Sequence, residues 1–294
     1  MAPPLNRTNH ALIVPEETSY DIIADVYDSS AILQLADVRP MTAAVENVVI
    51  SDGFTWPAGM ENVAEGTAKP VAEGAMATYE LVAKKMAVFV VVTDELLADS
   101  PVDIIAYYQS AITQRFQQLI DIHAIAGGGP FGADGLEDVA GHSSVIGTAG
   151  HVDLAGTFAD AFAAVEDLDY AVTGTLAARR LKSQLRVLRD GNDRPLYIDS
   201  LVSNTPDQIY GEPILYVGRG LFTNTADDTQ AITGDFSKFV IGIREQLQFS
   251  LHSEGTVGGI NLLETNQTAL RAEMRLGGVI ADADAFAKIV NAAA

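Results

Sequence analysis

Five histidines, two aspartates at Asp282 and Asp284, a glycine run at Gly127–Gly129 and a row of cations after residue 178 are the side chains here whose types could do chemistry. The histidines (His10, His123, His142, His151, His252) show no HxxxH or HExxH spacing. With no cysteine in the chain, a zinc site would need His and carboxylates brought together by folding alone. Asp282-Ala283-Asp284 has the DxD form of metal-dependent sugar transferases. In a strand, however, that spacing simply sets two carboxylates on one solvated face. The glycines follow a helical pattern rather than a strand and precede no Lys-Ser/Thr pair, so they read as a helix stop and not as a phosphate cradle. No GxSxG occurs. The residues predict no catalytic site, no cofactor and no metal centre.

The cations make a more specific pattern. Arg179, Lys182, Arg186 and Arg189 step by three, four and three along a predicted helix over 176–189, with Arg180 alongside and Leu181, Leu185 and Leu188 on the other face. The chain carries 39 acidic against 18 basic residues, a net charge of −21. A basic stripe in so acidic a chain is expected to meet carboxylates of a neighbouring copy. The same balance argues against a nucleic-acid or anionic-membrane ligand, which needs clustered Lys and Arg. It is compatible with a surface that lies near nucleic acid without sticking to it. Zero cysteines exclude disulfides and fit a reducing compartment. The N-terminus lacks a signal-peptide pattern, and no apolar run approaches the roughly 18–20 residues of a membrane span. A soluble protein made in the cytoplasm is expected.

The elements that would position these residues centre on Val88–Gly132. Val88 to Thr93 is β-branched and aromatic, the composition of a buried strand. Asp94–Asp99 predicts about one helical turn. Ser100 is expected to cap, and Pro101 to open, a long helix over about 101–126. On it Ile104, Tyr108, Ile112, Phe116, Leu119, Ile120 and His123 share one face, and its length would be roughly 35–40 Å. Before it, Val45–Ile50 and Tyr79–Val82 predict two strands around a long Gly-, Ala-, Glu- and Pro-rich loop (51–76) with the sole tryptophan, Trp56. A hairpin of that length cannot hold itself up in water and is inferred to rest on another molecule. Residues 1 to about 42, with a short helix predicted over 19–28, have little core of their own and read as an arm. After the glycines, 131–156 reads as loop and 157–169 as a helix. Ala171-Val172 and Ile214–Val217 suit strands, which makes 157–240 an α/β unit. Alternation at 239–243, 247–251 and 270–274 predicts a sheet with one wet face.

Several segments resemble, in order, the major capsid proteins of tailed bacteriophages, whose shared architecture is the Hong Kong ninety-seven phage shell fold. Asn62-Val63-Ala64-Glu65-Gly66 is similar to the family's "WV-x-EG" element with Asn62 in place of Trp, and Lys69-Pro70 continues it. Lys84–Ser100 resembles the block leading into the long helix, and Gly127–Gly132 the "G-G-x-P-x-G" after it. Leu185–Tyr197, Ile209–Ile214 and Asn266–Arg275 resemble three later blocks. The resemblance spans about 230 residues. It implies an α+β subunit with an N-terminal arm (1–42) and an extended β-hairpin loop (43–87). A peripheral domain (88–156 and 241–276) would hold the spine helix, beside an α/β axial domain (157–240 and 277–294). It further implies self-assembly as pentamers and hexamers into an icosahedral shell around double-stranded DNA bound without sequence specificity. A portal at one vertex, a possible decoration protein and no membrane complete the implied partners. A scaffolding protein is expected to be separate, because the arm begins almost at Met1. Lys69 stands where one relative has a cross-linking lysine, but Thr265 occupies the partner asparagine's position, with Asn266 one residue away, so no covalent cross-link is expected. Trp56, Glu65, Lys69, Arg179, Lys182, Arg186 and Arg189 are the candidate inter-subunit contacts. An encapsulin-like bacterial compartment enclosing a cargo enzyme is the alternative.

Overall fold

The computed structural model of the protein describes residues 30–55, 63, 68–100, 103–146, 154–189, 192, 207–218, 221–222 and 228–291, without the side chains of 50–55 and 73–77; elements are counted over these residues. The predicted 19–28 helix lies outside them.

The chain enters through α1 (Ala31–Leu35) and β1 (Asp37–Pro40). The hairpin follows as β2 (Val45–Thr55) and β3 (Glu73–Val82), then β4 (Lys84–Thr93), α2 (Asp94–Asp99) and the spine helix α3 (Ile104–Ala126). Next come α4 (Leu136–Val139), β5 (His142–Ile146), α5 (Leu154–Glu166), β6 (Gly174–Ala178) and α6 (Arg179–Val187). The last third holds β7 (Gln208–Ile209), β8 (Glu212–Val217), β9 (Thr229–Gly234), β10 (Phe239–His252), β11 (Thr256–Val257), β12 (Ile260–Asn261), β13 (Gln267–Ile280) and β14 (Phe286–Asn291).

Two sheets organise the body. The first runs β1-β10-β13-β4, with β13 antiparallel to both neighbours and β1 parallel to β10. Pro40 fits there because β1 is an edge, where a missing N–H breaks no ladder. Along β13 the predicted alternation holds: Leu270, Ala272, Met274 and Leu276 are buried, while Arg271, Glu273 and Arg275 face outward. On the outer face Lys85 pairs with Glu273 at 2.5 Å and Arg275 with Glu245 at 3.4 Å. The second sheet runs β5-β14-β9-β6-β8-β7, with α5 and α6 packed through Phe158, Val165, Leu181 and Leu185. A single core joins the two. Ile112, Phe116 and Ile120 of α3 sit in it with Leu270 and Leu276 of one sheet and Leu176, Ile232 and Phe286 of the other. Ala31 and Ile32 of α1 close the same core, and Leu35 packs on Gly174.

The spine helix is 23 residues, about 35 Å at 1.5 Å per residue. Its cap is Asp103, whose Oδ1 accepts the N–H of Ala106 at 3.0 Å, and not Ser100, which instead closes α2. Gly127 ends it at φ 79°, followed by Gly128 at 89°, Gly129 at 51° and Gly132 at 95°. These are left-handed values that glycine adopts at least cost.

Several expectations need correction. The Val88–Thr93 strand is an edge strand: Val88 and Phe89 are 37% and 46% exposed, and burial returns only at Val92 and Thr93. β-branched composition reports strand preference, not depth. Leu176-Ala177-Ala178 belongs to a wholly buried strand, so the helix carrying the cations starts at Arg179 and ends at Val187, before Arg189. The 131–156 loop contains α4 and β5, and α5 stops at Glu166, leaving Leu168 46% exposed. The hairpin strands run on to Thr55 and back from Glu73, which shortens the loop. Asp282-Ala283-Asp284 is a turn, not a strand.

Candidate assembly surfaces

Among the described residues, the hairpin is held only at its root. Val48 and Leu81 are buried against Met41 and Val240, the N–H of Ala83 donates to Ala44 O at 2.8 Å, and a side chain on Gly277 would overlap the carbonyl of Val82. Beyond that root β2 and β3 pair only with each other. Val45 is 46% and Val49 60% exposed, and Val71 at the loop is 81% exposed. A two-stranded ribbon showing valines to water gains stability from a surface laid against it. Lys69 is exposed in this loop, whereas Trp56 and Glu65 lie outside the described residues. Thr265 and Asn266 sit in the turn before β13, with Asn266 at φ 50°.

Helix α6 presents the cations because Leu181 and Leu185 are its buried stripe. Arg179 and Arg186 are exposed, Val187 between them and the helix end is 73% exposed, and Arg189 follows the helix, also exposed. Lys182 is half-buried, pairs with Asp207 and stands 4.9 Å from the Tyr216 ring centre, so carboxylate and aromatic partners for it come from its own chain. Arg180, flanking the stripe, meets Asp228 at 2.5 Å. Asn291 and then Arg180 hold the Asp228 carboxyl below the ordinary carboxylate range. The bundle ties the start of α6 to the end of β14.

Two buried or part-buried groups had no sequence signal. Asp121, 6% exposed on α3, accepts Ser30 Oγ–H at 2.8 Å and Ile32 N–H at 3.2 Å through Oδ1, and Ala31 N–H at 3.2 Å through Oδ2. The spine therefore clamps the start of α1 from ninety residues away, through a helix face that otherwise reads as apolar. Burial pushes the Asp121 pKa up, against the pull of those three donors. Tyr170 donates its hydroxyl to Asp282 Oδ2, and Asp282 Oδ1 accepts the N–H of Asp284 at 3.0 Å. The hydrogen bond to Asp282, with burial and the nearby carboxylates, pushes the Tyr170 pKa up to about 12. The DxD pair is thus taken up in a turn and a phenol contact. His123 lies on the spine, its Nδ1 3.2 Å from Gly127 O, with its ring under Gly128 and Gly129. Among the described residues no group of three His, Asp or Glu could hold a metal ion, and no helix is long and apolar enough to cross a membrane. Among the described residues the geometry offers surfaces rather than a reacting centre.

Comparison with known proteins agrees. The chain is 24% identical, over 94% of its length and 84% of the relative's, to the "Major capsid protein" of Staphylococcus phage 80alpha. A solved chain of Microbacterium phage Oxtober96 superposes with a TM-score of 0.79 at 28% identity, covering 97% of this chain and 99% of that one. One of Mycobacterium phage Bobi gives 0.78 at 22% identity, covering 99% and 100%. These likenesses do not favour the encapsulin-like alternative. Residues 10–291 match the Phage capsid family, so the chain belongs to that family and is a structural protein of a virion shell, not an enzyme.

Proposed function

We propose that copies of this chain assemble as pentamers and hexamers into a closed icosahedral shell around double-stranded DNA. The observation that carries the reading is the hairpin: a ribbon anchored at one end, with Val45, Val49 and Val71 exposed, gains its stability from a neighbouring copy. Such a heterologous contact closes into rings. Trp56, Glu65 and Lys69 of the loop, with Arg179, Lys182, Arg186 and Arg189 at α6, are the contact residues of this reading. The charge supports it too, since a chain at −21 lets packaged DNA slide and leave.

The division into units follows the sheets. The arm reaches 42 and the extended loop 43–87. The peripheral unit is α3 with β4, β10 and β13, to whose sheet the end of the arm adds β1. The axial unit is the other sheet with α5 and α6, and it takes in β5 because that strand pairs with β14. A separate scaffolding protein, a portal at one vertex and a decoration protein outside are the partners of this reading, with assembly in the host cytoplasm and no membrane. Electron microscopy of the expressed chain, with scaffold supplied, tests it: closed shells are expected, and a small soluble oligomer as the sole product refutes it.

A further inference from the structure

Lys84, Met86 and Val88 are alternate residues of β4 and so share one side of that strand. Between them and Ile112, Phe116 and Leu119 of α3 lies a groove of about 740 Å³, within the roughly 300–1,000 Å³ of small-ligand sites. It is open to water, since Val88 on the edge strand is 37% exposed. The groove is polarised along its length. At one end stands the Lys84 ammonium, an exposed group with three donors, one of which goes to the carbonyl of Gly129 at 3.1 Å. At the other end Val88, Ala111 and Ile112 present hydrocarbon. Arg115 stands on the helix rim, and its donation to the side-chain oxygen of Gln118 at 3.2 Å leaves its charge in place. Lys85, also at the edge, is taken up by Glu273 at 2.5 Å. No aspartate or glutamate lines the groove, in a chain where acids outnumber bases 39 to 18.

We propose that this groove binds a single-chain anionic amphiphile, a long-chain carboxylate of the fatty-acid class. The carboxylate sits on Lys84, and the tail runs over Phe116 and Leu119 towards Val88. Ala111 and His123, which mark the two ends on α3, are twelve residues apart, about 18 Å of helix at 1.5 Å per residue. That is a length an extended alkyl chain can follow. A cationic amphiphile would meet Lys84 and Arg115 with no carboxylate to receive it. A neutral alcohol of the same length would cover the same apolar floor but forgo the ammonium–carboxylate contact, which is roughly twice as strong as a neutral hydrogen bond. The site belongs to the single chain and needs no neighbouring copy, so it stands apart from the shell reading.

Titration calorimetry of the expressed chain with sodium decanoate, decanol and decyltrimethylammonium, each below its micelle concentration, tests the assignment. Decanoate should saturate one site and bind about tenfold tighter than decanol, with the cation weakest. Lys84→Glu should abolish the preference for decanoate and leave decanol binding unchanged, while Arg115→Glu should weaken decanoate to a smaller degree. If Lys84→Glu does not fold, Lys84→Gln, which removes the charge alone, takes its place with the same expectation. Hydrogen exchange with decanoate bound should show added protection in 84–88 and 111–119. Equal affinity for the three amphiphiles overturns the proposal, because it reduces the groove to a patch without a preference for charge. So does uptake that never saturates, decanoate affinity unchanged by the Lys84 substitution, or protection that falls elsewhere in the chain.

Discussion

Replacing Asp121 with alanine should loosen the root of the arm while leaving the sheets intact. The substitution removes the acceptor of two buried backbone N–H groups, at Ala31 and Ile32, and of the Ser30 hydroxyl. An orphaned buried donor costs about 1–3 kcal/mol, so the gross loss is roughly 2–6 kcal/mol for the two amides. Against it stands relief from burying a carboxylate, and that relief is substantial, because burial raises the pKa despite three donors. The net is placed near the low end, about 2 kcal/mol, the scale of a lost helix cap. At 1.36 kcal/mol per decade this is about a 30-fold rise in local opening. Hydrogen exchange of the peptide covering 30–36 measures it, with β13 as the internal reference. An increase below about threefold, which is under 1 kcal/mol, would refute the assignment of Asp121 as the clamp. An equal increase in β13 would do the same. The pH dependence has a definite sign. A raised folded-state pKa means the folded chain holds this proton longer than the unfolded one, so the stability contributed by Asp121 is complete below the ordinary carboxylate range. It is lost as pH rises through the folded-state pKa. The wild-type arm root should therefore be tighter in mild acid than at neutral pH, and Asp121→Ala should flatten that difference.

Further outcomes follow from other contacts. Gly127→Ala puts a side chain at φ 79° onto the carbonyl of Ala133 and should destabilise by roughly 1–3 kcal/mol, read as a lower denaturant midpoint with unchanged slope. Gly277→Val should detach the hairpin root from β13, seen as faster proteolysis between 43 and 83, and equal cleavage rates would count against the close approach. Tyr170, with its pKa raised to about 12, contributes stability that is complete below its ordinary value near 10 and is lost as pH rises towards 12. Tyr170→Phe should remove that alkaline step from a titration followed by circular dichroism. Assembled particles boiled in detergent should run as a single monomer band, and a covalent ladder would show that Lys69 finds a partner after all.

Legibility followed the range of the interactions. The spine helix and its glycine stop, the hairpin and the alternating strands β10 and β13 rest on patterns local to a few turns or residues, and sequence periodicity reports those directly. β6 does not show because all five of its residues are buried, and a short run of mostly small residues beside a cationic helix carries no period to separate strand from helix. β5 was hidden by polar composition, its membership of a sheet depending on β14 at the far end of the chain. Ser100 and Pro101 carry a cap-like pattern three residues before the true cap, and composition alone does not choose between them and Asp103. Of the surfaces, the cationic row was visible, but Asp207 as a partner of Lys182 and Asp228 as the partner of Arg180 were not. Asp121 could not be found, because its partners lie about ninety residues away and a lone carboxylate in a helix reads as solvated.

The core shared by the two sheets has a mechanical consequence. Leu276, Phe116, Ile32 and Phe286 belong to one packed interior, so bending one limb of the subunit against the other would open voids that close packing penalises steeply. A body built this way carries load as a stiff plate. In the proposed shell, pressure from within would then fall on the joints between copies, and a slender ribbon laid across such a joint, rather than the core, would be the compliant part of the wall.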